Sequence, residues 1–399
     1  MAAPERIVRA GFIPLLDAAV LLAASALGLD RREGFRLHLT RDVSWSNIRD
    51  RLAFRQFDVA HMLGPMAVAG ELGLGSNPHP VIVPFTLGQG GNAITLSVAL
   101  MARMREAMGA DAYPDTAAAH GQALAREVAR RRAAGEPPLV FGVTYPFSSH
   151  NYEFRLWMDA AGIDPDRDVT LTVVPPPMTA DALRARLIDG FCVNAPWNVM
   201  AVEEGIGRIV AVKADIWPGS PEKVLGLRPD WWSENRDTAD RLLAALDASA
   251  RWCADPANRG ELATILAEPA HVGVRAALLE PILAGDLLVD AGGTRRTIPS
   301  YIEFQPDGAN LPRRSQALWV YAQMARWGQH PFDEDGARRA AHAFRPDIYR
   351  AALPGRADGL PDSRIETAPP GGGRDFDPDR IEAHLSGMAA DRPPATRLD

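Results

Sequence analysis

Lysine is almost missing from this chain: Lys213 and Lys223 are the only two, and arginine supplies the rest of the 43 basic side chains. Cysteine is as scarce, with Cys192 and Cys253 in apolar settings and no CxxC pair or Cys/His ligand spacing. That pattern excludes a disulfide-stapled framework and a zinc module, and predicts two buried, reduced thiols. Positive charge is not in excess, since 43 Lys+Arg stand against 50 Asp+Glu for a net −7. No global field exists to hold nucleic acid by counterion release, so no direct nucleic-acid role is expected. Long apolar runs are lacking too. The run from Ala18 to Gly28 is abutted by Asp17 and preceded by the alternating stretch Ile7 to Phe12. It therefore reads as a first helix after a first strand instead of a signal-peptide core. No other run approaches the ~20 apolar residues that span a bilayer, so a cytoplasmic location without membrane insertion is the expectation. Enzyme signatures are absent as well: there is no GxxxxGK[ST], no GxGxxG opening a helix after a strand, no HExxH and no GxSxG. His150 near Ser148 has no evident orienting acid for a hydrolase triad. The chain reads as a binder, not an enzyme, with no cofactor and no metal.

What is present is a large core. With 399 residues, 47% of them hydrophobic and 23% charged, the chain is long enough for two lobes. Strand-like runs at 6–11, 35–40, 81–85, 93–98, 139–144, 169–174 and 209–212 alternate with helical stretches at 17–29, 46–55, 63–72, 117–132, 150–161, 179–189 and 197–204. This βα alternation predicts an α/β fold with mostly parallel sheets. Two breaks, the glycine-rich stretch Leu87 to Asn92 and the segment Lys213 to Pro218, suggest that the chain leaves one lobe and returns. The expected division is 1–97 for the first part of lobe 1, 98–208 for lobe 2, 209–352 for a largely helical second part of lobe 1, and 353–399 for a flexible or docking tail. A ligand then sits between lobes at the carboxyl ends of strands.

Several turns place donors there. Strand-to-helix turns leave N–H groups unpaired at the positive end of a helix dipole, which suits small anions. Ser44, Ser46 and Asn47 flank Trp45 at such a turn; the serines serve equally well as N-caps, whereas Trp45 falls off any core period and its indole is a donor only. His61 follows the strand-like Phe57 to Ala60 and tops the same cleft, unless it is an ordinary core histidine. Ser148, Ser149, His150 and Asn151 end another strand, with plain capping as the simpler role. Phe191 to Asn198, containing Asn194 and Trp197, repeats the arrangement, with Pro196 suited to a first helical turn. Trp217 is a candidate cleft wall. Lys223 either supplies charge there or lies on a solvated helix face. The arginines at 126 and 130–132 read as a solvated helix face, and Trp231, Trp232 and Trp252 as packing.

Six blocks in order resemble one family: 11–19, 44–50, 60–66, 91–97, 160–166 and 190–198. They are similar to the nitrate- and bicarbonate-binding branch of ABC-transporter solute-binding proteins, most of all to its cytoplasmic NasS-type nitrate/nitrite sensors. The resemblance implies a two-lobe type II periplasmic-binding-protein-like fold with the ligand cleft between lobes. It implies nitrate or nitrite contacts at Trp45, the loop Gln89, Gly90 and Asn92, the helix start Ser148 to His150, the turn at Asn194, and Trp217; His61, Trp197 and Lys223 complete the candidate set. Two departures are the Gln89-Gly90-Gly91 loop and Asn194, where the family often has glycine. The resemblance also implies a partner, a NasT-like ANTAR RNA-binding antiterminator that the sensor releases on binding its anion. The alternatives are an exported binding protein for nitrate, bicarbonate or another small anion, and an enzyme on the same scaffold, as in thiamin-pyrimidine synthesis.

Overall fold

Continuous apolar runs bounded by glycine and polar turns become strands, and the amphipathic stretches between them become helices, in a computed structural model that describes residues 6–109, 115–218, 222–367 and 374–390. The strands are β1 (Arg6–Phe12), β2 (Phe35–Arg41), β3 (Val59–Leu63), β4 (Ile82–Thr86), the two-residue β5 (Gln89–Gly90), β6 (Asn92–Ser97), β7 (Val140–Val143), β8 (Thr170–Val173), β9 (Gly190–Asn194), β10 (Gly207–Val212) and β11 (Lys223–Leu227). Ten of these form two five-stranded sheets, ordered β2-β1-β3-β11-β4 and β10-β6-β9-β7-β8, while β5 pairs antiparallel with the short strand Ile302–Glu303. Each sheet centres one lobe. Strands buried on both faces, such as β3, β9 and β11, have every residue buried, as sheets covered on both sides require.

The sheets are mixed, which corrects the expectation of mostly parallel pairing. β1 runs parallel to β2 and β3, and β7 parallel to β8 and β9. β11 is antiparallel to β3 and β4, and β6 antiparallel to β9 and β10. The cause is the crossing itself. β6 and β11 enter their sheets directly from the other lobe, without the helical crossover that makes neighbours parallel. β6 and β10 both lie in the second sheet, whereas the sequence division assigned 92–97 and 209–212 to the first lobe.

The helix Ala19–Ala26 is the leader-like run; Ala19 through Ala24 are fully buried in the first lobe. Beyond β11 the chain is largely helical and packs onto the helices of the first lobe, with Leu242, Leu243 and Leu246 of helix Arg236–Ala254 and Trp319, Val320 and Tyr321 of helix Arg314–Arg326 buried. The described part of the tail docks: Glu366 pairs with Phe376, Ser315 Oγ donates to Glu366 at 2.6 Å, and Phe376 is buried. The stretch Pro369 to Gly373 lies outside the described residues. Both cysteines are buried and free. Among the described residues no helix is long and apolar enough to cross a membrane.

Candidate functional site

An ammonium inside a protein needs acids around it. Lys223 opens β11 with no exposed surface. Its Nζ lies 2.8 Å from Asp17 Oδ2, donates to Glu222 Oε1 at 2.5 Å and stands 3.4 Å from His150 Nε2. The Trp45 ring centroid is 5.7 Å away. Lys213, also buried, donates to Glu153 Oε1 and Glu222 Oε2, both at 2.8 Å. The chain's only two lysines thus meet in one cluster at the junction of the lobes. Asp17 comes from the turn after β1, Glu153 from helix Ser149–Ala160 after β7, and Glu222 from the residue before β11.

Neutral groups complete the cluster. Asn92, first residue of β6, donates through Nδ2 to Glu153 Oε2 at 3.0 Å and to Glu222 Oε2 at 2.5 Å. Ser149 Oγ donates to Glu222 Oε1 at 2.7 Å. His61 Nδ1 accepts from the Ile13 N–H at 3.4 Å, so its proton sits on Nε2, 3.0 Å from Asp17 Oδ1. A lysine ammonium only donates, so His150 Nε2 accepts and Nδ1–H faces Thr144 Oγ1 at 2.9 Å. The Trp45 ring packs 5.3 Å from that of His61, and its indole N–H, fully buried, has no hydrogen-bond partner among the described residues.

Burial and charge set the protonation states. Desolvation pushes His150 down to about 3, helped by Lys223, and it also lowers His61, so both imidazoles are neutral. Desolvation alone would depress both lysines, but Glu153 and Glu222 hold Lys213 above its ordinary value, and Asp17 and Glu222 do the same for Lys223. Burial works to raise Asp17 and Glu222, but both end below the usual carboxylate range, Asp17 through Lys223 together with His61, and Glu222 through Lys213, Lys223 and His150. For Glu153 desolvation wins and its value rises.

The predicted site residues divide. Trp45, His61, Asn92, His150 and Lys223 meet in the cluster, and Asn194 touches it through Asn92, donating to Asn92 Oδ1 and to the Gly90 carbonyl at 3.0 Å each. Lys223 lies on a buried strand, not on a solvated helix face. Four others are engaged elsewhere. Ser148 caps its helix, accepting from the Asn151 N–H and donating to Tyr145 O; Ser149 is the serine that enters the cluster. Gln89 donates to Pro218 O, and Trp197 donates its indole N–H to Pro14 O at 3.1 Å. Trp217 packs against Trp319 with centroids 5.1 Å apart. The cluster that these donors join is charged, with two lysines and the carboxylates of Asp17, Glu153 and Glu222. Asp17, Glu153 and Glu222 carry no signal in the sequence because they are single acids scattered along the chain without a spacing; for Lys213 the rarity of lysine is the one clue.

A family model described as NMT1-like family matches residues 1–267. The chain belongs to the NMT1-like family. Within it, the chain is 31% identical to the nitrate/nitrite binding protein NrtA of Synechococcus elongatus over 97% of this chain and 87% of that protein. It is 33% identical to the nitrate import ATP-binding protein NrtC of Synechocystis over 88% of this chain, and spans 50% of that protein's length. The crystal structure of the periplasmic nitrate-binding protein NrtA from Synechocystis PCC 6803 superposes with a TM-score of 0.85 at 26% identity, covering 97% of this chain and all of that one. This NMT1-like chain therefore has the two-lobe α/β fold of solute-binding proteins, and its cluster sits where the two crossings of that fold meet.

Proposed function

We propose that the protein binds a small planar monoanion, nitrate or nitrite, between its lobes. The observation that carries the reading is the buried Trp45 indole N–H, without a hydrogen-bond partner among the described residues, beside Lys223 in a buried polar cluster. Buried donors in folded proteins are paired, so an unpaired one points to a ligand acceptor. Nitrate accepts hydrogen bonds and donates none, which suits indole, ammonium, amide and hydroxyl donors. The similarity to NrtA proteins supports the same ligand class. Calorimetric titration with nitrate, nitrite, bicarbonate and sulfate tests it: heat with the nitrogen oxyanions is the expected result, and silence toward both rejects the reading.

The reading extends to delivery of the anion to an ABC transporter, which the names of the relatives support. A second reading keeps the site and makes anion binding release an ANTAR-type antiterminator in the cytoplasm; it rests on the resemblance of six sequence blocks to the nitrate- and bicarbonate-binding branch that includes NasS-type sensors. Cell fractionation and co-purification with and without nitrate separate the two. A periplasmic chain excludes the sensor, and a small cytoplasmic partner lost on adding nitrate excludes the transporter role.

A further inference from the structure

Glu222 holds more donors than an ion pair needs. Its Oε1 accepts from Ser149 Oγ and Lys223 Nζ, and its Oε2 from Asn92 Nδ2 and Lys213 Nζ. These donors come from both lobes: Ser149, Asn92 and Lys213 from the second, and Lys223 from the first. Two oxygens on a planar centre carrying one negative charge is also how nitrate presents itself to a donor set. We propose that Glu222 is an internal stand-in for the ligand: its carboxylate occupies donors that the incoming anion takes over, so this residue sets both anion affinity and charge selectivity. The inference rests on the anion-binding reading above.

Lysine geometry makes the exchange necessary. An ammonium has three N–H donors, and Lys223 Nζ already meets three acceptors, Asp17, Glu222 and His150. An external anion reaches Lys223 only when one of them lets go. His61 holds the other oxygen of Asp17, and Thr144 holds His150. In the proposed exchange the Glu222 side chain turns away while its backbone stays in place, its carbonyl accepting from the Gly64 N–H at 2.9 Å. Exchanging one monoanion for another preserves the charge facing Asp17, Glu153, Lys213 and Lys223. A dianion adds a charge in a desolvated site and is rejected. The same carboxylate, bridging donors of both lobes, holds the cleft shut without ligand.

The test compares wild type with Glu222→Gln by nitrate and sulfate calorimetry and by small-angle scattering without ligand. The expected result is nitrate affinity higher by about tenfold or more, the scale of removing one charge-assisted competitor, with sulfate binding gained. In scattering, ligand-free wild type has the radius of gyration of the nitrate-saturated protein, while ligand-free Glu222→Gln is larger. Unchanged or weaker nitrate binding by the variant overturns the proposal and makes Glu222 a group that positions the lysines. If wild type binds no anion, the function reading fails separately, and equal ligand-free radii for wild type and variant then overturn the internal-anion role. Should Glu222→Gln not fold, Glu222→Asp, whose carboxylate retracts by one methylene, is read by the same two measurements with the same expected directions.

Discussion

At the site, burial and the neighbouring Lys223 push the His150 imidazole down. Its native value of about 3 lies below the ordinary 6.5, so the folded state binds fewer protons than the unfolded chain between those limits. The stability it contributes is complete above pH 6.5 and is lost as pH falls, at about 1.4 kcal/mol per unit. His61, also depressed, adds to the loss, and Asp17 and Glu222 extend it to lower pH. Glu153, raised, works the other way, favouring the fold at low pH and losing that contribution as pH rises. Urea midpoints measured from pH 7 down to pH 4 should therefore drop, and His150→Gln should flatten the drop. Lys223→Met should abolish nitrate binding and cost about 3–5 kcal/mol in urea unfolding, because Asp17 and Glu222 lose a buried partner. Residues at this scale were partly legible. Trp45, His61 and His150 stood at identifiable turns, while Asp17, Glu153 and Glu222 were single acids without a pattern.

Strands and turns impose a different kind of constraint. Gly90 and Gly91 have φ of 86° and 85°, and a Cβ would stand 2.2 Å from Tyr301 O at Gly90 and 2.4 Å from Asn194 Nδ2 at Gly91. The left-handed backbone alone costs a non-glycine about 1–2 kcal/mol, so Gly91→Ala should lose more than about 2 kcal/mol in thermal unfolding and displace Asn194 from Asn92. The glycine-rich break was visible in the sequence as a crossing point. β11 was not, because a short run with Gly226 as its next-to-last residue and a proline-rich approach resembles a loop. Gly226 is there for packing: a Cβ would meet Val81 Cγ1 at 2.9 Å. Pairing direction was also hidden, since β6 and β11 have the same apolar make-up as strands that pair in parallel elsewhere in the two sheets.

The whole molecule is arranged to keep the lobes together over the cluster. Arg49 Nη1 donates to Tyr145 OH at 2.8 Å, Tyr152 OH to Gln329 Oε1 at 2.7 Å, the Leu16 N–H to Ala195 O at 2.9 Å, and Trp197 Nε1 to Pro14 O. Each bond joins lobes. Trp197, expected to touch the ligand, instead ties the turn after β9 to the turn after β1. Opening must break several such bonds, so ligand release is expected to be slow. Tyr145→Phe removes one exchangeable link without touching the cluster, and should raise the nitrate off-rate a few-fold, on the order of one neutral hydrogen bond, in stopped-flow displacement while leaving the thermal midpoint within about 2 °C.

The sequence by itself determined the α/β alternation, most strand positions, the two crossing points and the turns carrying Trp45, His61 and His150. These are local matters of apolar period, glycine and capping chemistry, which neighbours along the chain decide. Only the tertiary structure decided that both lysines are buried together, that three distant acids meet them, and which of two adjacent serines caps a helix and which enters the cluster. Those outcomes depend on contacts between residues up to 200 positions apart, where chain spacing carries no information and the energy of pairing buried charges selects the arrangement.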